Sequence, residues 1–234
     1  MARIERVGGL LLAGCVAAGD ETGQAMGPTV SLSGDITQLI GGEGQAGVTV
    51  CVEGTDRCTD SDEDGTYSLD VPASSPVLLL ATLPEHVPLI APIETATDDI
   101  AAPPLSMLSD ALFSGQVSLT GATGAEDLGQ VVFSVSNGIA GDGINIAGVS
   151  VRLEPGGGVG PFYLSPIGLP DLDLSVTSDN GGGGWLDVPP GTHALSFGGL
   201  PGTCSLLYGW SGPSPLALPV QPGRATVVRI ECPG

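Results

Sequence analysis

Apolar and polar residues alternate along much of this chain with the period of a β-strand. Val48, Val50 and Val52 alternate with Thr49 and Cys51, and Tyr67, Leu69 and Val71 alternate with Ser68 and Asp70. Each series places one apolar face toward a core. Val77 to Leu80 is a short unbroken apolar run and reads as a buried strand. Gly54-Thr55 reads as a two-residue hairpin turn with glycine at its first position, and Asp60 to Gly65 as a second turn. The hairpin register sets Cys51 opposite Cys58, within disulfide reach.

The same order recurs in the C-terminal half. Gly47-Val48-Thr49-Val50 matches Gly148-Val149-Ser150-Val151. Thr59, the turn Asp60 to Gly65 and Tyr67-Ser68-Leu69-Asp70-Val71-Pro72 match Thr177, the turn Ser178 to Gly184 and Trp185-Leu186-Asp187-Val188-Pro189. On this alignment Trp185 is the core residue corresponding to Tyr67. Both copies then enter an apolar strand, Val77 to Leu80 and Ala194 to Phe197. A repeat of about a hundred residues implies two domains, since solenoid units are far shorter. The second copy carries an insertion, Pro155 to Asp173, rich in Gly and Pro and read as an irregular loop. Between the copies, Pro104 suits a first helical position and Gly115 a residue just past the end. Leu105, Leu108 and Leu112 share one face at that spacing, which predicts a helix of about three turns.

The order G-V-x-V, then T-x-x-x-x-G-x-Y/W-x-L-D-V-P, then an apolar strand resembles the carboxypeptidase regulatory-like domain. The resemblance runs from about Val30 to Thr95 and, more loosely, from Val131 to Cys232. It implies a transthyretin-like β-sandwich of about seven strands that carries no catalytic residues of its own. The expected architecture is all-β: two tandem Ig-like or transthyretin-like sandwiches, 29–98 and 128–234, joined by a linker with a short helix at 99–127.

Composition agrees with many short strands. The 38 Gly and 20 Pro are too many breakers for a helical protein. Aromatic residues are 4% of the chain, so Val, Leu, Ile and Ala must fill the cores. The formal charge is −20, from 26 acidic and 6 basic side chains, and all six basic residues are Arg. Such a surface repels phosphate backbones, which disfavours nucleic acid as a partner.

The first residues look like an address. Arg3 and Arg6 precede the apolar stretch Val7 to Gly14, too short to span a bilayer. Leu12-Ala13-Gly14-Cys15 resembles the bacterial lipobox, whose cysteine becomes the acylated first residue of the mature protein. The resemblance implies a lipoprotein signal at 1–14, lipidation at Cys15 and a membrane partner through that anchor. Residues 15–28 read as a flexible tether. The expected location is the bacterial cell envelope, at the outer membrane or cell surface, or outside the cell. Setting Cys15 aside leaves Cys51, Cys58, Cys204 and Cys232, an even number suited to an oxidising compartment. Four cysteines permit three pairings. Proximity favours Cys51–Cys58, which leaves Cys204–Cys232. No pair has the spacing of zinc ligands.

Few residues carry chemistry. His86 and His193 fall in different copies, which rules out a paired-histidine iron site. Gly209-Trp210-Ser211-Gly212-Pro213 fails the G-x-S-x-G pattern at its last position. Without Lys there is no P-loop and no Schiff base. Asp60-Ser61-Asp62-Glu63-Asp64-Gly65 resembles the first half of a calcium loop, with Asp60, Asp62 and Asp64 as candidate ligands. Val71 stands where the loop needs a bidentate Glu, so an ordinary polar turn is the favoured reading and no resident cofactor is expected. Tyr208 and Trp210 form the one plausible aromatic platform for a glycan, among the candidates Tyr163, Trp185, Tyr208 and Trp210. The leading function is a non-catalytic envelope module in a structural, adhesion or protein-interaction role. The rival is a carbohydrate- or peptide-binding module, with calcium assisting.

Overall fold

A computed structural model describes residues 27–137, 145–201, 204–209 and 216–232. In the first half, β1 (Thr29–Gln38), β2 (Thr49–Val52), β3 (Cys58–Asp60), β4 (Thr66–Pro72), β5 (Pro76–Thr82) and β6 (Leu89–Glu94) follow in order. Next come β7 (Ile100–Ala101), β8 (Leu105–Met107) and α1 (Asp110–Thr120). The second half holds β9 (Gly129–Ser136), β10 (Ser150–Glu154), β11 (Val159–Leu164), β12 (Pro170–Asp171), β13 (Gly182–Val188), β14 (Gly191–Gly198), β15 (Ser205–Tyr208), β16 (Leu216–Val220) and β17 (Ala225–Glu231). The described chain is all-β apart from α1.

Each half is a sandwich. In the first, β4, β1, β7 and β8 form one sheet, and β3, β2, β5 and β6 lie in order in the other. Val30, Leu32, Ile36, Leu69 and Val71 from the first sheet meet Val50, Val52, Leu79 and Ala91 from the second in one buried core. In the second half, β10, β14 and β16 form one sheet opposite β11, β13, β9 and β17. Val151, Leu153, Leu195 and Leu218 there meet Val131, Phe133, Trp185, Val228 and Ile230.

Two matching hydrogen-bond networks show how far the copies correspond. In the first, Val48 N–H donates to Ser61 Oγ at 3.0 Å, and that hydroxyl donates to the Gln45 carbonyl at 2.7 Å. In the second, Val149 N–H donates to Thr177 Oγ1 at 3.0 Å, and that hydroxyl donates to the Ile146 carbonyl at 2.7 Å. Thr177 thus corresponds to buried Ser61 and not to Thr59. The turns follow suit: Ile36 N–H donates to the Gly65 carbonyl, and Val135 N–H to the Gly181 carbonyl. This register corrects the match of Tyr67 with Trp185, because Tyr67 pairs with Gly34 where Gly183 pairs with Phe133. An aromatic residue covers a glycine in both copies, but on exchanged strands.

Three other expectations are corrected. The helix begins later, at Asp110. Ser109 caps it, its Oγ accepting from Leu112 N–H at 3.3 Å, and Gly121 ends it with φ 73°. Gly115 lies mid-helix. Leu105 and Met107 are buried on alternate positions of a strand, not on a helical face. Spacings that short fit either period, and the hydroxyl cap decides. The insertion Pro155 to Asp173 is not an irregular loop, since it contains β11 and β12. At Gly54-Thr55 the register is as read, with Cys51 opposite Cys58, but Val52 N–H bonds to the Arg57 carbonyl and closes a four-residue loop.

The halves share a sheet through β17. One edge of β17 pairs in parallel with β9 from Ala225 to Glu231. The other pairs in parallel with β6 at Ala225 and Thr226, then antiparallel with β15 from Arg229 to Glu231. Gly209 N–H continues the cover by donating to the Pro92 carbonyl at 2.7 Å. Side chains also cross the seam. Arg224 Nη1 meets Glu53 Oε1 at 2.7 Å, and Tyr208 donates its hydroxyl proton to the Pro103 carbonyl.

The glycine–aromatic pairs generate a stability prediction. A Cβ on Gly34 would sit 2.9 Å from Tyr67 Oη, whereas one on Gly183 would sit 2.5 Å from the Phe162 carbonyl oxygen and 2.6 Å from Phe133 Cζ. Backbone yields less than a ring, so Gly183→Ala should cost about 3 kcal/mol and Gly34→Ala about 1–2 kcal/mol. Urea unfolding of both variants checks the order. Disulfides link Cys51 to Cys58 and Cys204 to Cys232, at sequence separations of 7 and 28. On the chain-entropy account, removing the second should cost ~3–4 kcal/mol and the first ~2–3 kcal/mol. Paired Cys→Ser variants under the same denaturant read that difference.

Candidate functional site

The acidic turn is built by its own backbone. Asp62 Oδ1 accepts from Asp64 N–H at 3.0 Å and Thr66 N–H at 2.8 Å, and Oδ2 accepts the Thr66 hydroxyl at 2.5 Å. Those bonds, the Thr66 hydroxyl's foremost, hold the Asp62 carboxyl below its ordinary value. Asp60 lies on β3, where its Oδ1 accepts from the Thr49 hydroxyl at 2.8 Å. Ser61 between them is buried and belongs to the repeat network. The structure therefore does not gather Asp60, Asp62 and Asp64 around one point. Among the described residues no group of three or more His, Cys, Asp or Glu side chains is placed to hold a metal ion. The second copy reproduces the turn with a hydroxyl in place of the carboxylate: Asn180 N–H donates to Ser178 Oγ at 3.1 Å.

The aromatic platform is corrected. Tyr208 is fully buried, in the first half's core, and burial pushes its phenol well above the ordinary range. A glycan cannot reach its face. Trp210 and Cys15 lie outside the described residues. Tyr163 and Trp185 are core residues whose rings lie 6.0 and 5.8 Å from Phe133. The two histidines have separate backbone partners. His193 is buried with Nδ1 3.0 Å from the Pro155 carbonyl oxygen and Nε2 2.8 Å from that of Pro189. His86 places Nδ1 2.9 Å from the Pro84 carbonyl oxygen in a turn.

Two features had no sequence signal because their partners lie far along the chain. The first is Asp187, at a β-bulge with φ 56°. Its carboxylate accepts Thr123 N–H at 2.5 Å, the Thr123 hydroxyl at 2.8 Å and Gly124 N–H at 2.9 Å. It moors the segment after α1 to β13. The second is a cavity of about 210 Å³ between α1 and the shared sheet, lined by residues of both halves.

No protein-family model matches the chain, and no curated protein matches it. Among solved structures it is similar to the Bacillus anthracis TIE protein, at 10% identity and a TM-score of 0.29 over 87% of this chain. It spans only about a third (34%) of that protein. It is also similar to GBS52, the minor pilin of Streptococcus agalactiae, at 11% identity and a TM-score of 0.29, covering 86% of this chain and 94% of that one. A point mutant of the shaft pilin SpaA of Lactobacillus rhamnosus GG gives 8% and 0.27, over 88% and 99%. Likeness at that level transfers no function, and the all-β class stands on the strands and their pairing.

Asp187 supplies a pH-dependent test. Burial alone would raise its carboxyl, but the bonds from Thr123 and Gly124 outweigh it and leave the folded-state value lowered. A lowered carboxylate stabilises the fold above the unfolded value, about 3.9, and that contribution is lost as pH falls through the folded value. Asp187→Ala should cost ~1–2 kcal/mol near neutral pH through its lost hydrogen bonds. Asp187→Gly should cost less, since glycine relieves the positive φ. The gap between wild type and either variant should narrow below about pH 3.9, as read by thermal unfolding across pH.

Proposed function

We propose that this chain is a non-catalytic cell-envelope lipoprotein, anchored through Cys15, whose two regulatory-like sandwiches act as one rigid structural or adhesion body. The observation that carries the reading is the pairing of a lipobox-like Leu12-Ala13-Gly14-Cys15 with a folded body cross-linked by two disulfides. Disulfides persist in oxidising compartments, and a lipobox directs a protein to one. The repeated Ser61 and Thr177 networks support two modules of one kind, and the seam at β17 supports their acting as a unit. Among the described residues no helix is long and apolar enough to cross a membrane. The anchor in this reading is the acyl group on Cys15. A single chain binds a membrane only marginally, and stable anchoring takes more than one. The partner is another protein or the matrix, met by the loops and edges of the sandwiches.

Radiolabelled palmitate supplied to a bacterial host is expected to enter the protein, and Cys15→Ser to abolish labelling and release the protein from the membrane fraction. Label retained by the Cys15→Ser variant, or wild-type protein that is exported without label, overturns the anchor.

A further inference from the structure

The cavity between α1 and the shared sheet sets unpaired polar atoms against apolar space. Leu89, Leu108 and Phe162 line it from both halves, with the half-exposed Leu39 among them. Two of its lining residues carry a buried polar atom without a hydrogen-bond partner: the Gln116 side-chain carbonyl oxygen from α1 and the Arg229 Nε–H from β17. Ser106, also on the wall, is already hydrogen-bonded to Thr37 at 3.0 Å. A buried polar group left without its hydrogen bond destabilises the fold, and here an orphaned acceptor and an orphaned donor border the same space. Arg229 makes no ion pair among the described residues.

The chemistry of the pair narrows the ligand. A carboxylate would satisfy Arg229 but would confront the Gln116 carbonyl. It would also approach against a net charge of −20, and Glu231, two positions along the same strand, already acts on Arg229. A plain hydrocarbon would leave both polar atoms unpaired. An amide meets both demands, its N–H donating to Gln116 Oε1 and its carbonyl accepting from Arg229 Nε. The volume, about 210 Å³, exceeds the ~150 Å³ of an apolar cavity that takes up benzene. We propose that this cavity is a binding site for a small neutral molecule with an apolar body and a single amide group. The site stands independently of the lipid anchor and of any adhesive role.

The test compares three probes of one length on the full chain by ligand-observed NMR. N-butylacetamide carries the amide, butyl acetate keeps the carbonyl and loses the N–H, and hexanoate is the carboxylate. The amide is expected to bind with a dissociation constant on the order of 1 mM, and about tenfold or more tighter than the other two. Gln116→Leu, on the partly exposed helix, should erase the preference of amide over ester. Val132→Phe, which fills the cavity, should abolish binding of all three while circular dichroism stays unchanged; if it does not fold, Gln116→Leu alone decides. Hexanoate binding tightest, ester and amide binding alike to wild type, or no probe binding at all would each overturn the proposal.

Discussion

One strand with both edges occupied organises the molecule. β17 is bonded along its whole length to β9, and on its other edge first to β6 and then to β15. A strand in that position cannot slip by one residue without exchanging the side chains it presents to the two cores. Its side chains divide accordingly. Ala225 packs in the first core, while Val228 and Ile230 pack in the second. Thr226, fully buried, gives its hydroxyl to the Pro219 carbonyl at 2.5 Å. The two sandwiches therefore do not touch as separate bodies, because the sheet of one continues into the sheet of the other. The ion pair of Arg224 with Glu53 sits beside that continuity, and, with both groups about a quarter exposed (28% and 26%), adds little to it.

The copies have kept their hydrogen bonds better than their side chains. Ser61 and Thr177 perform one task with different residues: a buried hydroxyl receives one backbone N–H and returns its proton to a carbonyl. The space above the first antiparallel pair is filled by Tyr67 from β4 in one copy and by Phe133 from β9 in the other. Each ring demands a glycine opposite, Gly34 and Gly183. A packing requirement has been met twice with the donor strand exchanged, which is why side-chain matching misaligned this part of the repeat. The second copy also extends its sheet with β11. Tyr163 there accepts Val151 N–H at 3.0 Å and ties that sheet to the opposite one.

Strands were legible where burial alternates. The periods at Val48 to Val52 and at Tyr67 to Val71 state their faces outright, and the opposed cysteines followed from the centre of a hairpin even though its loop was longer than two residues. Legibility failed where two periods compete over a few residues, as at Leu105 to Leu112, and where glycine replaces the apolar member of the pattern. Gly182, Gly183 and Gly184 are buried strand residues that read as a turn, because backbone close to a neighbouring strand leaves no room for the side chain that would have announced it. The candidate site was less legible still. Asp62 was visible as an acidic residue, but its engagement by Thr66 depends on the turn's geometry. The mooring of Thr123 to Asp187 and the convergence of Gln116 with Arg229 join residues with no local pattern between them.

The seam has a further consequence for how the protein is made. β6 finds its partner Ala225 only 136 positions after Leu89. A chain emerging from the ribosome or a translocation pore, amino end first, exposes the outer edge of β6 while most of the second copy is still to come. That edge carries Leu89, Ile90, Ala91 and Ile93, apolar residues beside unpaired backbone groups, a composition that invites pairing with other molecules. Pro92, which has no N–H to offer, interrupts the edge at its middle. Synthesis of this protein thus has a vulnerable interval, bounded by the arrival of one short strand, in which a holding chaperone has a defined surface to guard.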